Sequence, residues 1–387
     1  MLTAAGIFTS LVCSCNKEDD SHGDPSVTMK PRNDFEGTGA NRILDVDFTL
    51  SHKTDLPVTV TFHTLDSTAR AGSDFTGIDE ATLVFEPGEQ LKTVNVELLS
   101  DSLIEFNEYF KLSISHIENA APDNQELTIL IMNDDAGNLT PASDGYLSPE
   151  SYPGMRLAFA DEFNDTLLNF RTWNFETGEG KWGAGQLQEY TWNLENVSLK
   201  NGRLHITALD ESGHYTSGRI NTVNKRSLQY GLVDIRAKLP SGKGIWPALF
   251  LLGAEYSPTN WPACGEIDVA ELNGNLPSTV IGRAYYFSSG AKNKEGFYNL
   301  PLYTDSFSDQ FHIFSVLWQP DEITWYVDYK PYVILNRSDI GTGWPFNSAF
   351  FFYLDLAVGG SLVGDPDDTT GFPKTLEVDY IRAFQPI

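Results

Sequence analysis

Glu266-Ile267-Asp268-Val269-Ala270-Glu271 is the stretch on which the reading of this chain turns. On a β-strand, alternate side chains share a face. Glu266 and Asp268 therefore point one way and Ile267 the other. Glu271 lies three beyond Asp268, and strict alternation would send it to the opposite face. One inserted residue, a β-bulge, returns it to the same side. Three acids on one face repel one another, and burial raises their pKa values. A solvated acidic face is the plain alternative, but a structural strand gains nothing from this spacing. Glycoside hydrolysis does, because it needs one protonated and one ionised carboxyl beside the bond to be cut. Two acids on one strand sit closer than a pair spanning a water, which suggests retention, with carboxyl groups ~5–5.5 Å apart. The third acid, Asp268, is placed to shift the other two and pass a proton.

Working outward, the chain reads as β throughout. Leu44-Asp45-Val46-Asp47-Phe48-Thr49-Leu50, Val58-Thr59-Val60-Thr61-Phe62, Val94-Asn95-Val96-Glu97-Leu98 and Leu127-Thr128-Ile129-Leu130-Ile131 alternate with period two. Turn residues such as Pro87-Gly88 and Asn133-Asp134-Asp135 separate them. Few segments carry a helical period, which favours sandwiches over α/β folds. Residues 136–154 are rich in Gly, Pro, Ser and Asp and read as a linker between two modules.

Composition narrows the partners. There are 53 Asp and Glu against 26 Lys and Arg, a net charge of −27, so phosphate backbones are repelled and a nucleic-acid partner is excluded. Aromatic residues make up 12% of the chain, which suits a β-sandwich core and also a groove that stacks on sugar rings. Of three cysteines, only Cys264 lies beyond the N-terminal region, so it has no partner for an intrachain disulfide or a thiolate zinc site.

Residues 1–15 end in Val12-Cys13-Ser14-Cys15 after an apolar, uncharged run too short to span a bilayer. They resemble a lipoprotein signal peptide with Cys15 as the lipidated residue, although no Lys or Arg precedes the apolar run. Asn16-Lys17-Glu18-Asp19-Asp20 resembles the export tag of Bacteroidetes surface lipoproteins, and residues 16–25 read as a flexible tether. The implied location is the outer membrane at the cell surface, with membrane contact through the lipid alone.

The first module, residues 26–135, resembles a Calx-β domain. The matching pieces include Glu36-Gly37, Asp66 to Phe75, Leu83-Val84-Phe85-Glu86-Pro87-Gly88-Glu89, and Glu105-Phe106-Asn107-Glu108-Tyr109-Phe110. The resemblance implies an immunoglobulin-like sandwich, and a structural Ca²⁺ on Glu36, Asp74, Asp101, Glu105, Asp134 and Asp135. Hard cations take oxygen ligands of this kind. Ser100 and Ser102 stand where the best Ca²⁺ binders carry acids.

The second module, residues 155–387, resembles glycoside hydrolase family 16, in its laminarinase-like branch. The match runs from Asp161-Glu162-Phe163-Asn164 through Gly244-Ile245-Trp246-Pro247-Ala248 and Trp261-Pro262-Ala263-Cys264-Gly265, then the acidic run, to Val378-Asp379-Tyr380-Ile381-Arg382. It implies a concanavalin-like β-jelly roll with a cleft. Glu266 would be the nucleophile, Glu271 the general acid/base, and Asp268 their tuning partner. Trp246, Trp261, Arg219 and Tyr285 would line sugar subsites, and Asp379 would fall where many members hold a structural Ca²⁺. Catalysis would need no cofactor. The implied activity is endo-acting hydrolysis of a β-1,3- or β-1,3(4)-glucan, most simply by a monomer. The alternative is a surface glycan-binding protein on a retired scaffold. Four departures mark the cleft: Tyr285 replaces a usual His, Asp355 a usual Asn, Ala184 another Asn, and Val269-Ala270 a usual Met- or Val-Glu.

Overall fold

The computed structural model describes residues 23–31, 34–288, 290–300 and 305–387. The signal and anchor reading at residues 1–15, and the tether up to His22, lie outside them. The described residues form two compact units, one ending at Asp101 and resuming over Asn107–Met132, the other comprising Ser102–Phe106 and Asn133–Ile387.

In the first unit the period-two segments all form strands. Leu44, Val46, Phe48 and Leu50 of Arg42–Leu50 are buried, while Asp45 and Asp47 are less so. One sheet runs in the order Leu91–Leu98, Arg42–Leu50, Ser26–Pro31, Ala121–Pro122; the other runs Asp34–Phe35, Glu126–Met132, Glu108–Glu118, Val58–Asp66, Ala81–Phe85. Both bury one face in a shared core where Phe75 stacks on Phe110 at 4.2 Å.

The second unit is also built from two sheets. The larger has ten strands and includes Gly231–Lys238, His312–Trp318, Glu322–Val327 and Lys374–Pro386. The other has seven, in the order Asn174–Phe175, Arg219–Asn221, Phe350–Val358, Ile245–Gly253, Glu266–Leu272, Thr279–Phe287, Ala291–Asn299. Their facing sides share one core containing Leu249, Leu251, Ile267, Val269, Leu272, Trp318, Trp325, Phe352 and Leu354. Burying Ile267, Val269 and Leu272 contributes roughly 1.5–3 kcal/mol each, so the acidic strand is held by its apolar side. Trp325 of the opposite sheet adds a direct tie, its indole N–H donating to the Asp268 carbonyl at 2.8 Å. Close contact here requires Gly282, where a Cβ would come within 2.7 Å of the Trp325 ring.

The stretch read as a linker is instead built into the second unit. Thr140–Ala142 and Gly145–Leu147 form a short hairpin. Ser148 bonds the Tyr380 hydroxyl, and the Tyr152 hydroxyl donates to buried Asp234 at 2.5 Å. Ser102–Phe106 also groups with this unit by its contacts: Ile104 and Phe106 share a cluster with Tyr152, Tyr326 and Tyr329. Turn-rich composition excludes long strands, but a few aromatic and acidic anchors suffice to fix such a segment.

Replacing Trp325 by Phe keeps most of the packing but leaves the buried Asp268 carbonyl unpaired. Denaturant unfolding should show a loss of about 1–3 kcal/mol, with no change in the far-ultraviolet circular dichroism.

Candidate active site

The acidic run occupies the strand Glu266–Leu272, third from one edge of the seven-stranded sheet. The expected bulge is present on both sides. Asp268 faces Arg283 and Glu271 faces Ile281 on one neighbour, so three steps match two. On the other neighbour, Phe250 faces Asp268 and Leu249 faces Ala270, so one step matches two. Ile267, Val269, Ala270 and Leu272 all join the core. Glu266, Asp268 and Glu271 are left together on the open face, beside the apolar floor of Ala248, Phe250, Leu252, Phe351 and Tyr353.

Each outer acid has its own tryptophan. The Trp261 indole donates to Glu266 Oε2 at 2.5 Å, and the Trp246 indole donates to Glu271 Oε1 at 3.0 Å. Both residues read as sugar-lining aromatics are therefore also carboxylate donors. Trp261 remains 41% exposed, leaving ring surface open to a ligand. Asp268 and Glu271 are 2% and 4% exposed.

Burial raises all three acids. Glu266 is pushed up to about 6, with the Trp261 and Asp268 hydrogen bonds limiting the rise. Glu271 is also raised by burial, against the pull of Arg283, Trp246 and Asp268. Asp268 is driven well above the usual carboxylate range by burial and then by the charges of Glu271 and Glu266. The hydrogen bond between Asp268 and Glu266 lowers Glu266 and raises Asp268. That pattern favours the protonated form of Asp268, with its proton directed toward Glu266. The outer carboxyls thus differ in their partners, as a division between nucleophile and proton donor requires.

Arg219 sits three strands away from the acids in the same sheet, directly opposite Asp355. Its guanidinium lies 2.9 Å from Glu176 and 3.3 Å from Asp355, and 4.7 Å over the Tyr353 ring. Burial pushes Asp355 up to about 7, with Arg219 holding it down. A neutral Asn would leave Arg219 with one counter-ion fewer, so the Asp355 departure adds an ion pair. Tyr285 packs against Trp261 with ring centroids 5.3 Å apart. Ala184 lies in a turn whose N–H donates to Gln186.

Two residues that sequence reading passed over stand out. Arg283 lies 3.1 Å from Glu271 Oε2 and bonds both Tyr285 and Glu295. Glu176 completes the Arg219 site. The departure at Tyr285, two residues further on, was the only sequence signal near Arg283.

Among the acids read as metal ligands, Asp379 requires correction. Its two oxygens accept from Arg203 Nε at 3.2 Å and Arg236 Nη1 at 2.6 Å. Its charge is balanced by arginines from two other strands, an arrangement no local motif displays. Asp74 accepts from the Arg70 N–H at 2.6 Å, closing a turn. Glu36, Asp74 and Asp101 fall in the first unit and Glu105, Asp134 and Asp135 in the second. Cys264 is buried and unpaired.

Paired, differently held carboxyls across one open face are the arrangement that glycoside hydrolysis needs. The chain belongs to glycosyl hydrolases family 16, whose family model matches residues 184–382. A Calx-beta domain precedes it, matched over residues 33–135. The chain is 37% identical over 279 residues to glucan endo-1,3-beta-glucosidase A1 of Niallia circulans, covering 65% of this chain but only 41% of that relative. It is 34% identical to a beta-glucanase of Rhodothermus marinus, over 60% of this chain and 86% of the relative. The laminarinase catalytic domain of Thermotoga maritima superposes with a TM-score of 0.55 at 41% identity, covering 60% of this chain and 99% of that one.

Because folding binds a proton at Asp268, this residue's contribution to stability falls as pH rises above its unfolded pKa. Asp268→Asn removes that penalty. Thermal denaturation at pH 5 and pH 8 should show the variant gaining on the native protein at the higher pH, while turnover falls about 10²-fold. The acid limb of kcat/KM should lie near pH 6, activity being lost below it as Glu266 takes up its proton.

Proposed function

We propose that the protein is an endo-acting, retaining β-glucan hydrolase that cleaves β-1,3- or mixed β-1,3(4)-linked glucan by double displacement. The observation that carries this reading is the bulged strand, which turns Glu266, Asp268 and Glu271 to one face with a separate indole donor for each outer acid. The glucanase names of the similar proteins support the substrate class.

In the first step a Glu266 oxygen attacks the anomeric carbon. The bond to the leaving sugar oxygen breaks, and Glu271 gives that oxygen its proton. In the second step Glu271 takes a proton from water, the water oxygen attacks the anomeric carbon, and the Glu266 ester bond breaks. Asp268 hydrogen-bonds Glu266 and steadies its charge as it leaves. Trp261, Trp246, Arg219 and Tyr285 line the sugar path. Carbohydrate hydroxyls and apolar ring faces suit this mixture of indoles, a phenol and a guanidinium.

The same reading places the chain on the outer membrane through a lipid on Cys15, which lies outside the described residues. Among those residues no helix is long and apolar enough to cross a membrane. It also gives the Calx-beta domain, matched over residues 33–135, a structural Ca²⁺ on its acid-rich turns. The oxygen-only donors there suit that ion, and it takes no part in bond cleavage.

Incubation with laminarin and with barley β-glucan should release oligosaccharides whose new reducing ends are first seen by proton NMR as the β-anomer. No product from either glucan, or products born as the α-anomer, would overturn the reading. Glu266→Gln should lower turnover by at least about 10³-fold with an unchanged melting curve, since the amide cannot attack. In cells, Cys15→Ala should move the protein from the membrane fraction to the soluble one.

A further inference from the structure

Arg283 is not explained by the three-carboxylate mechanism. It is a long cation buried to 8% exposure on the strand beside the acids. Directly across from it on one side is Asp268, and on the other Glu295 of the edge strand Ala291–Asn299. Its Nη1 lies 3.1 Å from Glu271 Oε2 and 2.9 Å from the Tyr285 hydroxyl, and its Nε donates to Glu295 Oε2 at 3.0 Å. The guanidinium thus bridges two carboxylates from different strands. Planar, always charged and fork-shaped, it suits that bridging where lysine would offer a point charge.

We propose that Arg283 is the positioning residue of the acid/base Glu271, and that Glu295 is its counter-ion, the pair together setting how tightly Glu271 holds its proton. The inference rests on the double-displacement reading of the site. Glu271 must be protonated when the leaving sugar departs and ionised when water attacks. Arg283 favours the ionised form and so the second step. Glu295 draws part of that positive charge away and so spares the first.

The other groups facing Glu271 do not duplicate this pair. On its own strand, Asp268 and Glu266 are acids. On Ile245–Gly253, Trp246 is a neutral donor. Asp355 on Phe350–Val358 repels it, and the half-buried phenols Tyr285 and Tyr332 are uncharged. Arg283 is the one cation among the described residues that makes an ion pair with Glu271. The two influences are opposite in sign: Arg283 lowers the proton affinity of Glu271, and Glu295 raises it.

The test is a carbon-13 NMR titration of glutamate side-chain carboxyls in the full chain, with Glu271 assigned by its loss in Glu271→Gln. In Arg283→Met the Glu271 midpoint should rise by about one unit or more. In Arg283→Lys it should stay nearer the native value, and in Glu295→Gln it should fall. The basic limb of kcat/KM should move in the same directions, which a merely structural role would not produce. A Glu271 midpoint at or below native in Arg283→Met, or at or above native in Glu295→Gln, overturns the proposal. Glu295 is half-exposed on an edge strand, so its variant decides the matter alone if Arg283→Met does not fold. A native protein that cleaves no glucan would sink the hydrolase reading, while the titration would still decide the role of Arg283.

Discussion

One extra residue in one strand governs this molecule. Without the bulge at Val269 and Ala270, the acidic strand would send Glu271 into the core beside Trp325, where an unpaired carboxylate could not be held. With it, Ile267, Val269, Ala270 and Leu272 are kept on the inner side and three carboxyls gather on the outer. The neighbouring strands then supply what that gathering requires. Trp246 comes from one side, Arg283 from the other, and Trp261 from the loop that leads into the strand. The Trp325 bond to the Asp268 carbonyl fixes the strand from below.

The site is costly to hold and useful for the same reason. Like charges brought out of water favour protonation, so the site favours keeping a proton among the three. The arrangement assigns it to Asp268, the most buried of the three. Asp268 acts on both outer acids, so they differ through their other partners: the Trp261 indole for Glu266, and the Trp246 indole with the Arg283 guanidinium for Glu271. Toward the far side of the open face, Arg219 with Asp355 and Glu176 repeats the pattern of a buried cation between two acids.

Much of this was legible from sequence. The period-two segments of the first module became strands with the expected faces buried. The i, i+2, i+5 spacing of the acids required a bulge, and the register shows it. What sequence could not display depends on partners far apart in the chain. Trp246 and Trp261 read as sugar platforms, but their bonds to the acids follow from sheet register and loop path. Arg283 stood in plain view beside Tyr285, yet its meaning appears only when Thr279–Phe287 is laid against Glu266–Leu272. Asp379 resembled a cation ligand because its guanidinium partners, Arg203 and Arg236, lie more than a hundred residues upstream. Residues 136–154 looked like a linker because turn composition hides the anchoring of Tyr152 on Asp234.

The central claim is that the bulged strand presents Glu266 as the attacking group. Its most direct test is mass spectrometry of the protein after reaction with a 2-deoxy-2-fluoro laminaribioside bearing an activated leaving group, which slows breakdown of the glycosyl-enzyme. The account predicts a single sugar adduct, mapped by peptide fragmentation to the Glu266 side chain. An adduct on Glu271 or Asp268, or turnover of laminarin with no adduct at all, would contradict it.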